Sequence, residues 1–138
     1  MGGSQSMLKI NFEDMQSICK SSDMYILINT LSDLEQDCLI KNTIPAIREE
    51  SIINKYLKDT QSVKIIIYGK NCNDLGVQTK YNQLLKLGFT WIYIYTGGLF
   101  EWLLLQDIYG DEYFPTTKKQ QDILKYKPCS ALNVHLLN

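Results

Sequence analysis

The sequence predicts an α/β fold built on a parallel sheet with helices on both faces. Three observations predict it. Residues 63–68 (VKIIIY) and 90–95 (TWIYIY) are short, apolar and rich in β-branched and aromatic side chains, as buried strands are. Each run gives way to a small-residue loop and then to a helical pattern closed by glycine, Gly88 or Gly110. Strands and helices alternate: strand 25–28, helix 47–58, strand 63–68, helix 78–87, strand 91–95, helix 99–109. That order belongs to parallel sheets joined by right-handed crossovers.

Each element has its own signal. In residues 11–20 (NFEDMQSICK), Phe12, Met15, Ile18 and Cys19 recur at helical spacing, with Asn11 as N-cap and Glu13 and Asp14 in the first turn. Residues 25–28 (YILI) read as a short buried strand, with Asn29 at the end where polar residues of α/β sheets face a ligand crevice. Residues 31–37 suggest a turn or short helix, and 38–40 (CLI) a brief further strand before Pro45. Ile47, Ile52, Ile53, Tyr56 and Leu57 describe an amphipathic helix. The unbroken β-branched run of 63–68 indicates a strand covered on both faces. The next helix buries Tyr81, Leu84 and Leu85, and the strongly apolar stretch 99–109 (LFEWLLLQDIY) forms another. Residues 111–117 are a loop pinned by Pro115, 118–126 read as a last helix, and 127–138 as a packed tail.

Composition limits function. At 138 residues and 45% apolar content the chain suits one domain with a real core. A net charge of −1 offers no field for nucleic acid or anionic lipid. Arg48 is the only arginine, which leaves bidentate phosphate clamps without material. Cys19, Cys38, Cys72 and Cys129 form no C-x-x-C pair, and the single histidine, His135, lies near the end. No zinc site or Cys–His dyad follows, and the spacing suits reduced thiols in the cytoplasm. Residues 1–6 fit M-G-x-x-x-[ST], which makes Gly2 a candidate for myristoylation and is the one route to a membrane. The plainer reading of residues 1–7 is a flexible leader.

The rest of the chain is organised around residues 63–76 (VKIIIYGKNCNDLG). A buried strand opens there into a loop with Cys72 in its middle and then into a helix. Converging loop amides and a helix N-terminus could stabilise a thiolate. Asp74 in the same loop opposes one, and a plain loop cysteine is the simpler reading of Cys72.

From about residue 12 to 109 the chain resembles a single-domain rhodanese-like protein. The resemblance rests on KIIIY, a loop, a helix ending LLKLGF, strand WIYIY and the turn Gly97-Gly98-Leu99-Phe100-Glu101-Trp102, similar to the family's Gly-Gly-x-x-x-Trp turn. The stretch 103–117 (LLLQDIYGDEYFPTT) is similar to a subgroup from protists, algae and ciliary or centrosomal settings. The resemblance implies a five-stranded parallel sheet over residues 8–138, with a C-terminal extension from about 111, and no cofactor or metal. It departs from the family at two places. Asn29-Thr30-Leu31 stand where an Asp-Val-Arg run is usual, and Gly69 stands where active members carry the catalytic cysteine. Cys72 comes three positions later, and Lys70 is the loop's only cation.

The expectation is therefore a rhodanese-like domain without effective sulfurtransferase activity. It would act as a protein-binding or scaffold module, in the cytoplasm and in a ciliary or cytoskeletal assembly by analogy with the subgroup. The alternative is an active sulfurtransferase with Cys72 as nucleophile, Lys70 drawing the anion, and the loop Gly69, Lys70, Asn71, Asn73, Asp74, Leu75 and Gly76 around a persulfide. Phosphatase chemistry of the Cys-x5-Arg type is excluded by Gln78, a neutral amide six positions after Cys72. The stripe Trp91, Tyr93, Tyr95 reads as packing, and Asp107, Asp111 and Glu112 as a solvated rim. Leu103-Leu104-Leu105 cannot all face one core, which marks a possible partner surface.

Overall fold

The computed structural model describes residues 7–132. Four parallel strands make the sheet: β1 (Leu8–Ile10), β2 (Ile26–Asn29), β3 (Lys64–Tyr68) and β4 (Trp91–Tyr95), in the order β1-β4-β3-β2. The helices are α1 (Phe12–Lys20), α2 (Ala46–Lys55), α3 (Leu75–Lys86) and α4 (Gly98–Tyr109), with short 3₁₀ turns at Ser22–Met24, Asp33–Glu35 and Ile123–Tyr126. The chain starts at one edge, crosses the whole sheet through α1, then steps back strand by strand through α2 and α3. Right-handed crossovers in opposite directions put helices on opposite faces.

Strand alternation builds two cores. Ile26, Ile28, Ile65, Ile67, Ile92 and Ile94 meet Ile53 of α2 and Tyr81 and Leu84 of α3. Leu27, Ile66, Tyr68 and Tyr95 meet Met15 and Ile18 of α1 and Leu99, Trp102 and Leu103 of α4. The β-branched run of β3 is thus covered on both sides. Each such isoleucine contributes roughly 1.5–3 kcal/mol by leaving water. The predicted Asn11 cap is present as a full capping box with Asp14.

The structure corrects several sequence expectations. The sheet has four strands, not five. Cys38, Leu39 and Ile40 are buried but lie outside it; Ile40 makes only an antiparallel bridge to Thr116. A single parallel bridge, Ile28 to Ile44, is all that extends the β2 edge before Pro45 stops pairing. β1 was not expected: three residues with two apolar side chains carry too little periodicity to read. Met7 packs on the α2–α3 core, and residues 1–6, Gly2 among them, lie outside the described residues. Helix α3 starts at Leu75, because Asp74 caps it, and not at 78. Helix α2 runs from 46 to 55, since the chain turns at Tyr56. The last helix shrinks from 118–126 to one turn at Ile123–Tyr126.

That last segment has a definite task. Residues 111–126 fold back as a strap against α4 and the 37–41 segment. Trp102 Nε1 donates to the Pro115 carbonyl (3.1 Å), Gln106 Nε2 to Phe114 O (2.8 Å) and Thr116 Oγ1 (3.0 Å), and Thr117 N to Leu39 O (2.8 Å). Phe114 sits edge-on to Trp102, and the 3₁₀ turn buries Tyr126.

Candidate functional site

The carboxyl ends of the strands line up Asn29, Tyr68 and Tyr95 in register, with Ile10 beside Tyr95. The loop after β3 rises from this edge, where open α/β sheets hold ligands. Its conformation is set by two contacts: the turn before α4 and the side chain of Asp74.

The turn before α4 reaches in first. Leu99 N donates to Gly69 O and Phe100 N to Lys70 O, both at 2.9 Å. Two of the N–H groups that the start of α4 leaves over are thereby used on the loop. Gly98 makes this possible. Its φ is +68°, and a β-carbon there would lie 2.9 Å from both Asn71 Cα and Gly69 O. The Gly97-Gly98 turn and fully buried Trp102 are therefore a docking unit for the loop.

Asp74 then fills the space the loop encloses. Its Oδ2 accepts from Lys70 N and Thr30 Oγ1, both at 2.9 Å, and its Oδ1 from Gly76 N at 2.8 Å. Three further loop amides are taken: Asn73 N by Asn71 Oδ1, Asp74 N by Asn71 O, and Val77 N by Asp74 O. The cradle of N–H groups that could hold an anion carries the chain's own carboxylate. A β-carbon on Gly69 would meet Asp74 Oδ2 at 2.5 Å and Asp74 Cβ at 2.7 Å. Position 69 has no room for a side chain while Asp74 is in place.

Cys72 stands outside this cradle. It is exposed, and its thiol contacts Asn73 Oδ1 at 3.8 Å. It borders an opening of about 410 Å³ with Met7, Lys9, Val77, Ile94 and Thr96. On the other side of the loop lies an opening of about 360 Å³, lined by Thr30, Ser32, Glu35, Lys70, Asn73 and Cys129. Lys70 pairs there with Glu35 (Nζ to Oε2, 2.9 Å) and lies over the Tyr126 ring. Burial alone would raise the Glu35 pKa, but hydrogen bonds from Lys70 and Ser32 together outweigh it and lower the value. Lys70 is thus engaged, not free to draw an anion to Cys72. Leu75 is exposed at the first position of α3.

Asn29 borders an opening of about 510 Å³ with Ala46, Glu49 and Lys80, but offers it almost no surface. It is 3% exposed, and its amide binds Gln36, Ile44 O and Leu31 N. The buried hydroxyl of Tyr68 accepts from Ile40 N (3.0 Å) and lies 2.8 Å from Thr43 Oγ1, and burial raises its pKa. Tyr95 donates to Glu101 Oε2 at 2.5 Å; burial first, and then that carboxylate, keep it protonated. Two features escaped sequence reasoning: Asp74 as cap and cradle ligand, and the return of the strap to the loop, where Asn71 Nδ2 donates to Tyr126 O (2.9 Å). The Asx spacing Asp74–Gly76 was a readable signal for the first.

Leu103, Leu104 and Leu105 differ in burial. Leu103 is fully buried, Leu105 packs on the core, and Leu104 is 39% exposed, one turn from exposed Ile108. Trp91 is exposed at the far end of its stripe, while Tyr95 is buried. Asp107, Asp111 and Glu112 are exposed, as a solvated rim should be. His135 lies outside the described residues. Among the described residues no cluster of three metal-ligating side chains occurs, and no helix is long and apolar enough to cross a membrane.

No protein-family model matches the chain, and no curated protein does. Solved structures do. The Alr3790 protein from Anabaena sp. is similar over 92% of this chain and 90% of its own, with a TM-score of 0.56 at 18% identity. The BH2092 protein from Bacillus halodurans is similar over 95% of this chain and 90% of its own, with a TM-score of 0.57 at 15% identity. At these identities the likeness is one of fold.

Proposed function

We propose that this chain is a rhodanese-like domain that lacks sulfurtransferase activity and serves as a protein-binding or scaffold module. One observation carries the reading: the amides of Lys70 and Gly76, which could stabilise an anion at the sheet edge, are bound to the Asp74 carboxylate, beside Gly69, which provides no nucleophile. Sulfur transfer needs a thiolate held by such amides. Cys72 lies outside them, on the exposed rim of the loop. A module freed from catalysis can keep the frame and use its rims for contact. Exposed Leu104 and Ile108 on α4 supply apolar area of the kind partners cover. A ciliary or cytoskeletal setting follows the similarity of residues 103–117 to that subgroup, and acylation of Gly2 would add a membrane.

The test is a thiosulfate-to-cyanide transfer assay on the wild type and Cys72→Ala. No turnover in either is expected. Turnover in the wild type that disappears in Cys72→Ala would overturn the reading in favour of a sulfurtransferase with Cys72 as nucleophile. A pull-down with the wild type and Leu104→Glu tests the partner surface: equal recovery of every bound protein would remove α4 from it.

A further inference from the structure

We propose that the exposed face of α4 and the opening beside it dock a partner protein through a basic amphipathic segment, one whose lysines or arginines flank apolar side chains. The inference rests on the reading of α4 as a contact surface and adds the chemistry of what covers it. Residues 100–113 contain no lysine or arginine but four carboxylates, Glu101, Asp107, Asp111 and Glu112. Tyr95 donates to Glu101. Asp107, Asp111 and Glu112 are exposed, and none of them forms an ion pair with a described residue; the ion pairs among the described residues are Lys70–Glu35 and Lys80–Glu49. The same stretch exposes Leu104, Ile108, Tyr109 and Tyr113, at 39, 69, 62 and 61%. Leu104 and Ile108 stack one turn apart. Asp107 follows the first by three positions, and Asp111 the second.

Asp107 and Asp111 share one space. Both line an opening of about 420 Å³ between α4 and the strap, with Leu103 and Ile123 beside them. Gln106 donates to Phe114 O and Thr116 Oγ1, which holds the strap against α4, so the opening is formed before anything binds. Lys119 lines it too, but pairs with neither carboxylate. Two carboxylates against one ammonium leave room for a further cation, a lysine or arginine head whose methylenes lie along Leu103 and Ile123. A second copy docked face to face across a two-fold axis would set these carboxylates against themselves, and an anionic lipid surface would meet the same repulsion. A basic segment meets neither. Its apolar side chains cover Leu104 and Ile108 while its cations answer Asp107, Asp111 and Glu112.

The probe is a fluorescent synthetic helix of leucine and lysine, with leucine at positions i, i+3, i+4 and i+7, titrated with the full chain and read by anisotropy. Saturable binding is expected, weaker as salt rises, and absent when glutamate replaces every lysine of the probe or alanine every leucine. Asp107→Asn with Asp111→Asn should weaken binding about fivefold, and Lys119→Gln should strengthen it about twofold. Leu104→Gln with Ile108→Gln should weaken it about fivefold at unchanged net charge. Glu50→Gln with Asp59→Asn, the same change of charge at the far end of the chain's α2 segment, should leave it unchanged. All these positions are exposed, and circular dichroism melts check that each variant folds. No binding, equal weakening by the Glu50 and Asp59 changes, or no effect of the Leu104 and Ile108 changes would overturn the inference. A chain whose pull-down depends on Leu104 but which ignores the basic probe refutes the basic chemistry and leaves α4 a contact surface. Sulfur transfer, if measured, would overturn the catalytic reading and leave the binding result standing.

Discussion

Replacing Gly98 by alanine should be among the most damaging single-methyl additions in the molecule. Two effects add. The residue has φ +68°, where an alanine costs roughly 1–2 kcal/mol. The new β-carbon would also lie 2.9 Å from Gly69 O and 3.0 Å from Asn71 N. Those are backbone atoms of a loop fixed by Asp74, so they cannot yield as a flexible side-chain tip would. Overpacking of this kind costs about 1–3 kcal/mol. The sum, about 2–5 kcal/mol, corresponds to a Tm roughly 7–17 °C lower for a chain of this length. Gly98→Asn separates the two effects, since asparagine tolerates the backbone conformation but brings the same β-carbon. Thermal unfolding by circular dichroism measures both, and hydrogen exchange at Leu99 and Phe100 reports whether their bonds to Gly69 and Lys70 loosen. If Gly98→Ala melts within about 3 °C of the wild type, the close approach is not a constraint and the account of the turn fails.

Asp74→Ala should destabilise by about 1–2 kcal/mol in urea unfolding, because it removes a helix cap and leaves the N–H groups of Lys70 and Gly76 without their acceptor; a neutral result would mean that water replaces the carboxylate at no cost. Tyr68→Phe should cost about 1–3 kcal/mol, since Ile40 N loses its partner in a fully buried position; an unchanged urea midpoint would refute that. Stability should fall as pH rises from about 9 to 11. Burial lifts Cys19 to about 11, so the folded form keeps a proton that the unfolded form has lost. Its contribution is complete below pH 9 and lost as pH passes through the folded value. Cys19→Ala should flatten the slope of unfolding free energy in this window, and an unchanged slope would assign the alkaline loss to other groups. Iodoacetamide should label Cys72 and Cys129 in the native protein and reach Cys19 and Cys38 only on unfolding, as peptide mass mapping can establish.

The long apolar runs were legible because burial on both faces writes itself into every position: β3 and β4 stand where the pattern puts them, and so does α4. Short elements were not. β1 has three residues and only Leu8 and Ile10 to signal it, and its existence depends on pairing with β4 across some eighty residues of chain. Cys38, Leu39 and Ile40 showed a strand's apolarity, but they are buried in the core against the sheet and the strap rather than as a strand of the sheet. The site was half-legible. That Gly69 offers no side chain for chemistry is visible in the residue order alone. That a carboxylate from the same loop fills the space beside it is not, because Asp74 read as a charge and acts as a cap. Gly98 is the opposite case: the residue type announced the turn, and only the structure shows what it must avoid.

The two faces of the sheet also differ in when they can exist. The face covered by α2 and α3 draws its buried members from Ile26 to Ile94. The opposite face is complete only with Phe114 and Tyr126, and the strap joins it through partners 78 and 80 positions away, Leu39 with Thr117 and Cys38 with Lys118. A chain emerging from a ribosome therefore seals one side of its sheet while the other still exposes Leu39, Ile40 and Trp102. For that interval the nascent chain is a half-built layer with an apolar underside, and the arrival of residues 111–126 decides whether it closes or is taken up by a chaperone.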